Sequence, residues 1–280
     1  MVNGSHTYCV STSVVGRRGR EESLAALAAA GFAEIEIGGD PGKLEDWIAD
    51  PPAMRRRLAD YGLRARVLHL ATEAWDIAHP DDAARRGVVD LALRGLRDAA
   101  GVGAEIVICH PNGPSGNYAA YTPADLAASL ARTRESLEIL APEAARLGLR
   151  LALENLPLRH TARPGGAMAE ILALVAGLGD HVGVCQDVGH SNANGVDPAA
   201  DAREAGGRLY AIHIQDNDGL GEDQHLVPGE GTIDWGAYLA ALDEIAYAGP
   251  RTFEIRAADD LPGALAALQS LVAAWNGREP

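Results

Sequence analysis

Six side chains that can carry protons or bind metal stand at or near the ends of short apolar runs: His69 in RVLHL, His110 in IVICHP, Glu154 in LALEN, Asp187 in GVCQD, His213 in YAIHIQD and Glu254 in RTFEIR. His190 follows in the turn after Asp187, and a D-x-H pair, Asp223 and His225, lies in the loop after His213. Carboxylates and imidazoles of this kind serve two chemistries. Paired carboxylates move protons on and off carbon, and mixed oxygen and imidazole sets hold divalent cations. One such residue alone is more often a hydrogen-bonded core group. Four consecutive runs, each ending in one, are not explained by packing.

Strand alternation sharpens the point, because residues two apart share a face. Two positions before Glu154, Asp187, His213 and Glu254 stand Ala152, Cys185, Ala211 and Thr252, all small, whereas the intervening Leu153, Ile212 and Phe253 are bulky and apolar. The four polar residues therefore share one interior face above a floor of small side chains. Three inward carboxylates, Glu154, Asp187 and Glu254, have no inward lysine beside them. In a low-dielectric interior such groups take up protons or find a cation. The donor set suits Mn²⁺, Mg²⁺, Co²⁺ or Zn²⁺.

The elements that must position these residues alternate. Strand-like runs cover 7–14, 34–37, 64–70, 106–110, 150–154, 182–187, 209–215 and 251–255. Helical patterns lie between them near 21–30, 52–61, 83–100, 123–147, 168–178, 198–206, 235–245 and 261–275. The repeat of roughly 35 residues suits a strand, a helix and two loops. Thr122-Pro123 and Asp197-Pro198 read as a capping side chain followed by proline at the first helical position. Gly31, Gly62, Gly148, Gly179 and Gly249 stand where a helix end wants positive φ. Strict alternation predicts a parallel sheet, and eight units predict an α/β fold of the single (β/α)8 TIM-barrel type, one domain over 1–280. An open doubly wound sheet would carry a glycine-rich phosphate loop after an early strand, and none is present.

The chain of 280 residues carries a net charge of −15. That disfavours nucleic acid and anionic membrane as partners, since both need clustered basic residues. No apolar stretch approaches the roughly 20 residues that span a bilayer, and the first ten residues have no secretory pattern. The expected setting is the cytoplasm and the expected partner a small-molecule substrate. Cys9, Cys109 and Cys185 are too few and too scattered for a disulfide framework. The single lysine, Lys43, falls in GGDPGK, read as a polar loop, which argues against imine chemistry.

The strand-end residues resemble those of the xylose isomerase-like TIM-barrel superfamily, whose members include sugar-phosphate isomerases and epimerases and the endonuclease IV family. In the ketose 3-epimerases and inosose isomerases of that group, Glu, Asp, His and Glu from the last four strands hold one divalent metal. Glu154, Asp187, His213 and Glu254 match in order and spacing. The resemblance implies an isomerase or epimerase of a sugar, polyol or related hydroxy-carbonyl compound. Glu154 and Glu254 would be its acid/base pair, His190 would lie near a substrate oxygen, and the assembly would be a homo-oligomer. A lyase such as a dehydratase could use the same quartet.

Endonuclease IV binds three zinc ions through nine residues, and His69, His110, Glu154, Asp187, His190, His213, Asp223, His225 and Glu254 match all nine. A multi-zinc phosphodiesterase is therefore the second reading. Against it stand the acidic charge and the stretch Leu70-Ala71-Thr72-Glu73, which lacks aromatic and arginine side chains for opening a duplex. One departure from the epimerases is that Gln215-Asp216-Asn217-Asp218-Gly219 stands where they place an arginine that holds the sugar, and Asp216, Asn217, Asp218 and Glu222 read as residues of a polar surface loop with glycine turns. Arg256 is a candidate either for a substrate carboxylate or phosphate or for pairing with the inward carboxylates.

Overall fold

The computed structural model describes residues 6–39, 41–71, 75–113, 120–257 and 260–277. Its eight strands are β1 (Tyr8–Ser11), β2 (Glu34–Ile37), β3 (Arg64–His69), β4 (Ile106–Cys109), β5 (Arg150–Glu154), β6 (Val182–Asp187), β7 (Leu209–Ile214) and β8 (Arg251–Phe253). All neighbours pair in parallel, and β1 pairs with β8, which closes the barrel. β4 (IVIC) and much of β5 (RLALE) and β7 (LYAIHI) are apolar runs because helices cover the outer face of the barrel.

Ten α-helices lie among the described residues: α1 (Arg20–Ala29), α2 (Pro41–Ile48), α3 (Pro51–Asp60), α4 (Asp82–Val102), α5 (Pro123–Leu147), α6 (Met168–Val175), α7 (Val188–Ala193), α8 (Pro198–Ala205), α9 (Trp235–Glu244) and α10 (Leu261–Asn276). The expected caps form. Thr122 and Asp125 make a reciprocal capping box on α5, and Asp197 caps α8 ahead of Pro198. Gly31, Gly62, Gly148 and Gly179 all have positive φ. Gly249 does not. The left-handed turn after α9 is taken by Ala246 (φ 53°), and a side chain at 249 would run into the Tyr210 carbonyl and the Tyr247 hydroxyl.

Three other expectations change. The first strand ends at Ser11, and Thr12–Val15 turn into a 3-10 helix whose entry the Ser11 hydroxyl caps. Lys43 lies on α2 rather than in a loop, and its ammonium donates to the Thr12 and Gly16 carbonyls. Asp216 and Asn217, which read as surface-loop residues, are fully buried. The Asp216 carboxylate accepts from the backbone of Asn217, Gly229 and Ile233 and from the Trp235 indole, and so folds the loop after β7 onto the barrel mouth.

Two cores result. The larger lies between barrel and helices and includes Leu153, Ile212 and Phe253. The smaller fills the barrel interior with Val67, Ile106, Ile108, Ala152, Cys185, Tyr210 and Ala211. The parity assigned from sequence to these strands is the parity observed. Among the described residues no helix is long and apolar enough to cross a membrane.

Candidate active site

The quartet converges because adjacent strands end in register. Asp187 pairs with His213, His213 with Thr252, and Glu154 with Cys185. Glu254 lies one residue beyond β8, still tied to β7 by its N–H to the Ile214 carbonyl at 3.1 Å. Asp187 also caps α7, accepting from the His190 N–H at 2.8 Å. Asn155, the residue after Glu154, grips both backbone groups of Asp187: its amide oxygen accepts from Asp187 N (2.7 Å) and its nitrogen donates to Asp187 O (3.1 Å).

His213 Nδ1 lies 3.0 Å from Glu154 Oε1, 3.1 Å from Glu254 Oε2 and 3.9 Å from Asp187 Oδ2. One ligand atom from each of the four residues falls within 4.8 Å of all the others. Asp187 Oδ2 is buried and has no hydrogen-bond partner among the described residues. An orphaned carboxylate oxygen facing two more carboxylates and an imidazole nitrogen fits a hard or borderline divalent cation.

The electrostatics agree. Among the described residues, no lysine or arginine pairs with Glu154, Asp187 or Glu254, and all their ion pairs are with histidines. Burial raises Asp187 to about 6. Burial also opposes the charge on Glu254 and Glu154, but nearby imidazoles outweigh it. Glu254 sits at about 2, held by His213, and Glu154 falls well below the usual carboxylate range, held by His213 and His110. Burial likewise opposes charge on His213, yet the surrounding acids lift it well above its ordinary value.

The second group of sequence candidates borders the same site. His69 Nε2 and His110 Nε2 both reach Glu154 Oε2, at 2.8 and 3.1 Å. His69 rises to about 9, the Glu154 bond outweighing burial, whereas burial drives His110 down to about 4. Asp223 Oδ2 holds His225 Nε2 at 3.0 Å, and Asp223 Oδ1 lies 3.5 Å from His190 Nε2. Asp187 and Asp223 raise His190 to about 10 against burial, and Asp223 raises His225 to about 9. His225 takes φ 53° and bonds the Glu254 carbonyl through Nδ1 at 2.8 Å. These residues line a cavity of about 220 Å³ whose rim carries Arg159, Arg163 and Arg256. Arg256 is exposed, and its N–H donates to the His225 carbonyl at 3.0 Å. Of the stretch after His69, Thr72 and Glu73 lie outside the described residues.

Three residues of the site escaped the sequence reading. Gln215, fully buried, donates to Asp187 Oδ1 (3.2 Å) and Asp223 Oδ1 (2.6 Å), and so links the quartet to the second group. Asn155 is the second. Glu36 on β2 is fully buried and lies 2.9 Å from His213 Nε2. The alternation Glu34-Ile35-Glu36-Ile37 was its signal, since it puts Glu36 on the interior face at a strand end.

The model of the xylose isomerase-like TIM-barrel family matches residues 24–273, and the chain belongs to that family. An L-ribulose 3-epimerase from Methylomonas sp. (strain DH-1) is 27% identical over 244 residues, 84% of this chain and 78% of that protein. A solved D-tagatose 3-epimerase-like protein superposes with a TM-score of 0.82 at 22% identity, covering 96% of this chain and 98% of its own. The IOLI protein, solved with a zinc atom, superposes with a TM-score of 0.80 at 18% identity over 96% of this chain and 98% of its own. Relatives with a named activity include this L-ribulose 3-epimerase and a D-psicose 3-epimerase, and the chain is an enzyme of the isomerase/epimerase kind.

Proposed function

We propose that residues 1–280 work as one domain that epimerises or isomerises a sugar, polyol or related hydroxy-carbonyl substrate with the help of one divalent cation. The observation that carries this reading is that two carboxylates, Glu154 and Glu254, approach one imidazole nitrogen from different strands, 3.0 and 3.1 Å away. The L-ribulose 3-epimerase relative and the zinc atom of the IOLI protein support it.

Glu154, Asp187, His213 and Glu254 would hold the cation, which would supply Lewis acidity toward a carbonyl and its neighbouring hydroxyl. The protein does the rest. One carboxylate takes the proton from the carbon beside the carbonyl. The electron pair moves toward the carbonyl oxygen and returns as the other carboxylate delivers a proton to the opposite face. One C–H bond breaks, one forms, and nothing is oxidised. His190, held by Asn155 O at 2.8 Å, stands ready to bond a substrate oxygen. Arg256 on the rim is placed for an anionic substituent or for balancing the carboxylates below.

Glu154→Gln and Glu254→Gln are each expected to slow exchange of solvent deuterium into substrate by about 10²- to 10⁴-fold, with the melting temperature kept. Full turnover in both variants would overturn the acid/base roles. A lyase on the same residues would reveal itself by product analysis. The second reading, a multi-zinc phosphodiesterase, draws on the ring of His69, His110, His190, Asp223 and His225 around the cavity. It requires phosphodiester cleavage that fails when His69 or His110 is replaced.

A further inference from the structure

His213 is gripped at both ring nitrogens. Nδ1 faces Glu154, Asp187 and Glu254, while Nε2 faces Glu36 Oε2 at 2.9 Å on the far side of the ring. A neutral imidazole carries one proton, and only the bare nitrogen can donate a lone pair. The geometry points to Glu36 as the positioning residue that accepts the Nε2 proton of His213 and thereby presents Nδ1, bare, to the cation. The inference rests on the metal-dependent reading above and adds a residue to it.

Five observations converge on Glu36. The pairing of β2 with β3 shifts register between Ile35 and Glu36, an irregularity that re-aims a strand-end side chain. Just beyond, the Thr12 hydroxyl donates to the Gly38 carbonyl (2.8 Å) and accepts from the Gly38 N–H (3.0 Å), which fixes the end of β2. A side chain at 38 would sit 3.0 Å from His69 Cβ and 3.6 Å from Glu36 Oε1, so the glycine leaves this corner clear. The His69 ring stacks on His213 with centroids 5.4 Å apart and planes at 23°, which leaves the imidazole little freedom to tilt. Finally, Glu36 Oε1 is buried without a hydrogen-bond partner among the described residues. A buried unpaired oxygen costs stability, and packing alone gives no return for it. Carboxylates behind metal-ligating histidines set ring orientation and tautomer, and their loss costs about 10- to 100-fold in metal affinity.

The test is Co²⁺ binding to the metal-free protein, measured by chelator competition together with the visible spectrum of the bound ion. It needs no substrate. Glu36→Leu should weaken binding by about 10- to 100-fold, and Glu36→Gln, which keeps an acceptor oxygen, by about tenfold. Both should alter the cobalt spectrum. Glu34→Gln, two residues away on the same strand and bonded to arginines instead, should leave affinity and spectrum unchanged. A folded Glu36 variant of either kind with wild-type affinity and spectrum overturns the inference, and Glu36→Gln decides if Glu36→Leu fails to fold. Equal loss in Glu34→Gln also overturns it, since the effect would then be general loosening of β2. If the wild-type chain takes up no cobalt, the metal-dependent reading falls and this inference falls with it.

Discussion

Glu34 and Glu36 lie two residues apart on β2, and their settings are opposite. Glu34, at the bottom of the barrel, accepts from Arg64 Nε and Arg66 Nη1 at 2.9 Å each, and both arginines reach on to Glu105. Glu36, toward the mouth, has among the described residues only the His213 imidazole as a hydrogen-bond partner. The two ends of the barrel differ in the same way. Around the bottom, guanidiniums neutralise carboxylates or lie over aromatic rings, as Arg150 does over Tyr210 at 4.9 Å. At the mouth the carboxylates share histidines, and among the described residues one oxygen each of Glu36 and Asp187 has no hydrogen-bond partner. An end closed by arginine is built for stability, and an end whose strand-end carboxylates Glu154, Asp187 and Glu254 pair, among the described residues, with imidazoles alone is built to receive a cation, matching the division of labour in (β/α)8 barrels.

The largest expected effect comes from breaking the mouth. Asp187→Asn should cost metal affinity well beyond the roughly 10- to 100-fold typical of an outer partner and abolish turnover. The melting temperature of the chelator-treated protein should hold or rise, because an amide replaces a charge that burial disfavours. A fall of several degrees would show that the mouth, like the bottom, is held for stability. Next comes the reverse experiment. Arg66→Met removes a charged hydrogen bond to Glu34 and should destabilise by about 2 kcal/mol in urea unfolding, with kcat and bound metal unchanged; a matching loss of metal would erase the distinction.

The smallest effect is on pH dependence. Burial opposes the charge on Glu34, but Arg66 and Arg64 outweigh it and hold the carboxyl below its ordinary 4.5. A depressed folded value means that the stabilisation is present above about pH 4.5 and is lost as pH falls through the folded value. Glu34→Gln should therefore flatten stability against pH on the acid side of 4.5 and leave the neutral range parallel to wild type. An unchanged acid slope would remove Glu34 from the account of the bottom.

The barrel was legible in the alternation of strands and helices, and its interior in β5 to β8, which keep strict parity: small residues under polar ends inside, Leu153, Ile212 and Phe253 outside. That parity also exposed the quartet. It did not single out Glu36, because Glu34-Ile35-Glu36-Ile37 reads as one amphipathic strand and gives no sign that its two carboxylates meet different partners. Asp216 and Asn217 were misread for a related reason. Polarity in a glycine-rich loop resembles solvent exposure until tertiary structure supplies four donors to one carboxylate. Lys43 was placed in a loop because its proline and glycines read as turn residues, whereas Pro41 opens a helix.

The most direct test of the contrast between the two ends is metal content per chain by elemental mass spectrometry, on protein purified without chelator or metal-binding tag. The account predicts about one divalent ion per wild-type chain and none in Asp187→Asn. An active epimerase without metal would contradict it, and so would two or three zinc ions per chain, which would make the surrounding histidines ligands and the phosphodiesterase reading the better one.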